Sequence, residues 1–172
     1  MKYLVVSDLH GSEYHCEMIK ELFLYEKADK IVILGDLAHR AALSERARKA
    51  LASLPVRPRV VEGNCDDGYA DLPETEYEDR FYVVRDFSRQ LFFTHGDYYN
   101  IANVPMILGR GDVLLYGHTH LGALTFKNGV MIANCGSLAR PRNAPPSYVT
   151  VDESGIELKS SETREMLEKL HF

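Results

Sequence analysis

Residues 2–10 read Lys2-Tyr3-Leu4-Val5-Val6-Ser7-Asp8-Leu9-His10, a short apolar run that ends in an acid and a histidine. A continuous run of β-prone residues predicts a strand buried on both faces. The polar tail then falls where that strand leaves the sheet. The same order recurs along the chain. Lys30-Ile31-Val32-Ile33-Leu34 precedes Gly35-Asp36, and residues 59–62 precede Gly63-Asn64-Cys65-Asp66. Residues 90–94 precede His95-Gly96-Asp97, and residues 112–116 precede Gly117-His118-Thr119-His120.

Helical spacing separates these runs. Met18, Leu22 and Tyr25, with Ile19 and Phe23, form one apolar stripe after a candidate N-cap at Ser12. Leu43, Ala47, Ala50, Leu51 and Leu54 form a second, ended before Pro55 and Pro58. A third helix is expected over residues 98–108. Strands alternating with helices indicate βαβ units. The last third differs: residues 122–126, 130–134, 147–151 and 156–159 read as short strands. Asn128-Gly129 and Ser154-Gly155 mark turns between them. A closing helix over 162–170 would carry a Glu165–Lys169 pair. The expected architecture is α/β: two packed sheets flanked by helices, the second sheet the more antiparallel.

The 172 residues suit one domain, 1–172, with 45% hydrophobic and 26% charged residues. The net charge of −5 argues against stable nucleic-acid binding, which requires a basic face. Arg40, Arg46, Arg48 and Lys49 cluster, but Glu45 lies among them and a solvated helix face is expected. Three scattered cysteines, Cys16, Cys65 and Cys135, do not form a disulfide framework and fit a reducing cytoplasm. The first apolar run is too short for a signal-peptide core, and no stretch reaches the roughly 20 apolar residues of a membrane span.

The polar motifs share a position. In α/β sheets the carboxyl ends of parallel strands open on one crevice, where ligands bind. Two carboxylates, four histidines and an asparagine would meet there: Asp8, His10, Asp36, Asn64, His95, His118 and His120. Imidazole with carboxylate suits Mn, Fe, Zn, Co or Ni. Seven ligands exceed one tetrahedral site and suit two metals sharing a carboxylate. Gly35, Gly63, Gly96 and Gly117 each adjoin one of these side chains, which fits sharp turns and close backbone approach.

The series Asp8-x-His10, Gly35-Asp36, Gly63-Asn64, His95 and Gly117-His118-x-His120 resembles the calcineurin-like metallophosphoesterase superfamily, over residues 4 to about 151. Gly63-Asn64-Cys65-Asp66 and Asn134-Cys135-Gly136-Ser137-Leu138 resemble its small single-domain YfcE-type phosphodiesterase branch, with Cys135 where proline is usual. The resemblance implies a four-layer α-β-β-α sandwich of two mixed sheets flanked by helices, the metallophosphoesterase fold. It implies two divalent metal ions, manganese foremost, with nickel, iron, zinc or cobalt as alternatives. Asp8, His10, Asp36 and His120 would hold one, and Asp36, Asn64, His95 and His118 the other, with a bridging hydroxide attacking phosphorus.

Most of the superfamily carries histidine after the asparagine, thought to protonate the leaving oxygen. Here Cys65 stands in its place, followed by Asp66. A thiol is a weak donor without imidazolium's charge. The expected activity is hydrolysis of a small phosphodiester, with Asn64, Cys65, Asp66 and His95 as the catalytic group. A monoesterase or a nuclease of the same superfamily are the alternatives within enzymes. The non-enzymatic alternative is a protein-binding scaffold, such as a retromer subunit of this fold that has lost ligands. The resemblance leaves a homo-oligomer, dimer or tetramer, open.

Other residues receive lesser expectations. His39 and Arg40 are expected at the cleft rim, Asp97 behind His95, and Tyr98 and Tyr99 in packing. His15 is expected to face solvent, and Arg140 and Arg142 to be solvated loop arginines.

Overall fold

The computed structural model describes residues 1–142 and 144–172. The four expected parallel-type strands of the first half form as β1 (Tyr3–Val6), β2 (Lys30–Ile33), β3 (Arg59–Val61) and, after β4 (Glu76–Glu78) and β5 (Phe81–Asp86), β6 (Arg89–Thr94). They are followed by β7 (Val113–Tyr116), β8 (Gly122–Lys127), β9 (Val130–Cys135), β10 (Ser147–Asp152), β11 (Gly155–Ser160) and β12 (Met166–His171). Helix α1 (Glu13–Glu26) joins β1 to β2, and α2 (Glu45–Ala52) joins β2 to β3.

The strands make two mixed sheets. The first has the order β12-β11-β10-β1-β2-β3-β4 and the second β5-β6-β7-β9-β8. Strand alternation sorts the core. Tyr3, Val5, Val32, Leu34 and Val61 face Leu91, Phe93, Val113, Leu115 and Ala133 between the sheets. Leu4, Val6, Ile31, Ile33 and Val60 face the other way, onto Ile19, Leu22 and Phe23 of α1 and Ala47, Ala50 and Leu51 of α2. Both faces of these strands are dry, so the near-continuous apolar runs follow. No helix among the described residues is long and apolar enough to cross a membrane.

Several expectations are corrected. The C-terminal strands do not all belong to the second sheet: β10, β11 and β12 extend the first sheet antiparallel from β1. Both sheets mix parallel and antiparallel pairs, as the resemblance implies. The closing helix is instead strand β12. Lys169 pairs across strands with Glu157 at 2.8 Å, in register with it, and not with Glu165. Residues 98–108 form turns. The Asn100 side chain accepts from the backbone N–H of Ala102 and Asn103, and such local bonds compete with helix. That segment still covers the second sheet, with Tyr99, Val104 and Leu108 on Phe92, Leu114 and Ile132. Strands β4 and β5 lacked a signal because β4 has three residues and β5 is half exposed.

Smaller details also differ. Tyr25 lies off the buried stripe of α1, 60% exposed. Ser12 occupies the N-cap position, but its hydroxyl meets His15 Nδ1 at 2.8 Å, and His15 is half-buried, not solvent-facing. Arg46 and Arg48 pair with Glu17 and Glu74 on the helix surface as expected of a solvated face.

Candidate metal centre

Every motif singled out after an apolar strand lies at the carboxyl end of β1, β2, β3, β6 or β7, and the seven side chains converge there. The loops are laced by backbone bonds: Asp8 N–H to Gly35 O, His10 N–H to Asp36 O, and Gly117 N–H to His95 O. Two glycines allow this closeness. A Cβ on Gly63 would collide with the backbone and carboxylate of Asp36, and one on Gly117 with Ser7 Oγ and the Asp8 carboxylate. Five of the seven residues, Asp8, His10, Asp36, His118 and His120, have φ between 48° and 62°. Non-glycine residues in the left-handed region are costly and concentrate at functional sites.

The donor atoms fall into two groups that share Asp36. Asp8, His10, Asp36 and His120 each offer a ligand atom within 4.8 Å of the others. Within this group His120 Nε2 lies 3.1 Å from Asp8 Oδ1, and His10 Nε2 lies 3.3 Å from His120 Nε2 and 3.7 Å from Asp36 Oδ2. In the second group His95 Nε2 is 2.9 Å from Asn64 Oδ1, 3.1 Å from His118 Nδ1 and 3.5 Å from Asp36 Oδ1. The two oxygens of Asp36 thus face different groups.

These atoms fit a cation better than they fit one another. Asp8 Oδ1 is buried and has no aligned hydrogen-bond partner among the described residues, although His120 Nε2 lies 3.1 Å away. An unpaired buried carboxylate oxygen is expensive unless a cation satisfies it. Burial pushes His10 down to about 4, with Arg140 and His120 adding to the effect against Asp36 and Asp8. Burial and neighbouring His95 also lower His118. Both rings are therefore neutral at pH 7, with a lone pair free for a metal. Burial raises the Asp8 carboxyl, but His120 and His95 outweigh it and hold it below the usual range.

The supporting contacts fix ring orientation. His95 Nδ1 donates to Leu34 O at 2.8 Å and His120 Nδ1 to Arg140 O at 2.6 Å, so each Nε2 is left to point inward. Asp97, expected behind His95, is exposed, and Leu34 O holds the ring in its stead. Arg140 and Arg142 act through their backbones, Arg142 N–H binding His120 O. Asn134 and Ser137 carried no assigned role in the sequence reading. Asn134 Nδ2 donates to Gly117 O and Thr119 Oγ1, and Ser137 Oγ donates to Asp8 O. The signal was available: Asn134 and Ser137, two polar residues at the close of an apolar strand.

Asp66 has no exposed surface, and its two oxygens accept the N–H groups of Ala38 and Gly63 at 2.7 Å. It ties the Ala38 and Gly63 loops together behind Asn64 and Cys65. Burial, only partly offset by those bonds, raises its carboxyl to about 6. Cys65 is half-buried at the cleft. Its N–H donates to Asp36 Oδ1 at 2.8 Å, and burial beside Asp36 pushes its thiol up to about 11. His39 is exposed at the rim, its Nδ1 3.1 Å from His10 Nδ1.

The comparisons with known proteins agree with this geometry. Residues 1–155 match the model of the calcineurin-like phosphoesterase superfamily domain. The chain is 33% identical over 165 residues to phosphodiesterase YfcE of Escherichia coli K12, covering 88% of each chain. The solved structure of the E. coli phosphoesterase YfcE superposes with a TM-score of 0.88 at 30% identity, covering 99% of both chains. Vacuolar protein sorting 29 from Cryptosporidium parvum shares the fold at 18% identity, with a TM-score of 0.66 over 99% of this chain and 98% of that one. With the family model spanning most of its length and its own strand ends carrying the ligand-type residues, this chain belongs to the calcineurin-like phosphoesterase superfamily.

Proposed function

We propose that this protein is a metal-dependent phosphodiesterase acting on a small phosphodiester. The observation that carries the proposal is the convergence of Asp8, His10, Asp36 and His120 on one another, with an Asp8 oxygen that accepts no hydrogen bond among the described residues. Asp8, His10, Asp36 and His120 would hold one divalent cation. Asp36, Asn64, His95 and His118 would hold a second, with Asp36 shared. Two such cations supply an activated water and neutralise charge on the phosphate oxygens. Manganese is our preferred metal, because the oxygen and imidazole donors lack a thiolate that would select a softer ion.

The protein's own residues account for the preference for diesters. Leu34 O and Arg140 O orient His95 and His120, and the Asp66 carboxylate holds the Asn64–Cys65 turn against the Asp36 loop. Cys65 remains a neutral thiol at pH 7 and offers neither the charge nor the proton of an imidazolium. A diester carries one negative charge fewer than a monoester dianion and depends less on such a group. The YfcE relative is named a phosphodiesterase, which supports the same reading. The free cysteines, two of them buried, support a cytoplasmic location.

The test is turnover of bis(p-nitrophenyl) phosphate and p-nitrophenyl phosphate by chelator-stripped protein, with and without added Mn²⁺. Diester hydrolysis should appear with the metal, exceed monoester hydrolysis and vanish on chelation. Cys65→His should raise the monoester rate relative to the diester rate. A stripped protein equally active without metal would overturn the proposal, and an unchanged ratio in Cys65→His would remove Cys65 from it.

A further inference from the structure

A histidine that ligates a metal through one ring nitrogen must place the proton of the other. Such rings almost always donate it to a fixed acceptor, which sets both tautomer and orientation. His95 and His120 donate theirs to the carbonyls of Leu34 and Arg140. His10 is arranged differently. Its Nε2 faces the group formed with Asp8, Asp36 and His120, at 3.3 Å from His120 Nε2. Its Nδ1 faces outward and meets His39 Nδ1 at 3.1 Å, the rings edge to face with centroids 5.0 Å apart.

Two facing ring nitrogens bond only if one carries hydrogen and the other a lone pair. If His39 were the donor, the proton of a neutral His10 would sit on Nε2, aimed at the space between Asp8, Asp36 and His120. We infer that His39 is the acceptor: a positioning residue that takes the Nδ1–H of His10 and so turns the Nε2 lone pair of His10 toward the first cation. The inference rests on the reading of the site as a metal centre. It assigns to a rim residue the task that backbone carbonyls perform for His95 and His120. His39 lies three residues after Asp36, so one loop carries the shared carboxylate and sets the His10 tautomer.

Because the acceptor is a side chain, it can be removed. The experiment is calorimetric titration of chelator-stripped protein with Mn²⁺ for the wild type, His39→Leu and His39→Gln, with the melting temperature of each stripped protein. His39→Leu removes the acceptor, and His39→Gln retains a carbonyl oxygen. One binding event should weaken about 10- to 100-fold in His39→Leu. The other should stay within about twofold, and His39→Gln should recover most of the lost affinity. The melting temperature of stripped His39→Leu should match the wild type, since the ring is exposed. Wild-type affinity in His39→Leu, equal weakening in His39→Gln, or a lowered melting temperature of stripped His39→Leu would each overturn the inference while leaving the metal centre standing. Failure of the wild type itself to take up Mn²⁺ would overturn both.

Discussion

Around Glu26 every charged atom has a partner, whereas at Asp8 one carboxylate oxygen has none among the described residues. Glu26, at the end of α1, has a side chain 3% exposed. It accepts from Tyr148 Oη at 2.6 Å, Lys2 Nζ at 2.8 Å and Lys159 Nζ at 2.9 Å. Asp8 is equally buried, yet Oδ1 has no hydrogen-bond partner, and the backbone of Asp8, His10, Asp36, His118 and His120 lies in the left-handed region. The first cluster is closed and contributes to folding. The second stores backbone strain and an unpaired carboxylate oxygen, which a structural cluster has no reason to keep. At Asp8 the open oxygen lies among candidate ligands, which distinguishes it from the equally unpartnered Glu74 Oε2 beside Arg48.

The sharpest way to break this contrast is to neutralise one carboxylate in each cluster. Asp8→Asn should lower diester turnover about a thousandfold, equivalent to roughly 4 kcal/mol of barrier, measured by steady-state kinetics with saturating Mn²⁺. Its metal-free stability should fall less than that of the Glu26 variant, because the amide oxygen can keep the His118 N–H and only the attraction of His120 and His95 is lost. Glu26→Ala should do the reverse. It leaves Lys2 and Lys159 without their shared anion and should cost on the order of 3 kcal/mol in urea unfolding, with Mn²⁺ affinity unaffected.

Metal loading is the next test. At a free concentration about 100 times Kd, Mn²⁺ should stabilise the wild type by about 2.7 kcal/mol per site. For a chain of this size that raises Tm by about 5–10 °C. The Asp8→Asn protein should show less than half of that rise, while a protein altered at Glu26 should show all of it.

Acid should act on the closed cluster. Burial raises the Glu26 carboxyl, but the bonds from Lys2, Tyr148 and Lys159 outweigh it and hold it below the usual range. The hydrogen bond from Lys169, helped by Lys159, holds neighbouring Glu157 down to about 2. A carboxylate depressed in the folded chain stabilises it above the unfolded value, near 4.3, and that contribution is lost as pH falls toward the folded value. Stability of stripped protein should therefore drop between about pH 4.5 and 2. Glu26→Gln should flatten the upper part of that drop.

The smallest effect separates the two helix starts. Ser44 Oγ accepts from Ala47 N–H, whereas the Ser12 hydroxyl meets His15 and caps no helix N–H. Ser44→Ala should cost about 1 kcal/mol and Ser12→Ala under about 0.5 kcal/mol.

What the sequence disclosed follows from this division. The site was legible because its ligands sit at the ends of strands buried on both faces, and such strands are continuous apolar runs. Residues 2–6 and 30–34 could hardly be anything else. The architecture of two mixed sheets flanked by helices followed from the same runs. Half-exposed elements were hidden: β5 alternates weakly, and residues 162–170 have helix-compatible spacing that the antiparallel pairing of β12 with β11 overrides. The loop-tying bonds of Asp66 were not legible, because proximity in sequence to Asn64 and Cys65 does not reveal which way a side chain turns. The bonds that orient His10, His95 and His120 come from residues 20 to 61 positions away, two of them through backbone carbonyls, for which a sequence carries no mark.

The most direct measurement is anomalous diffraction from crystals of the Mn²⁺-loaded protein. The account predicts two manganese peaks per chain, one enclosed by Asp8, His10, Asp36 and His120 and the other by Asp36, Asn64, His95 and His118. A single peak, or peaks away from Asp36, would contradict it.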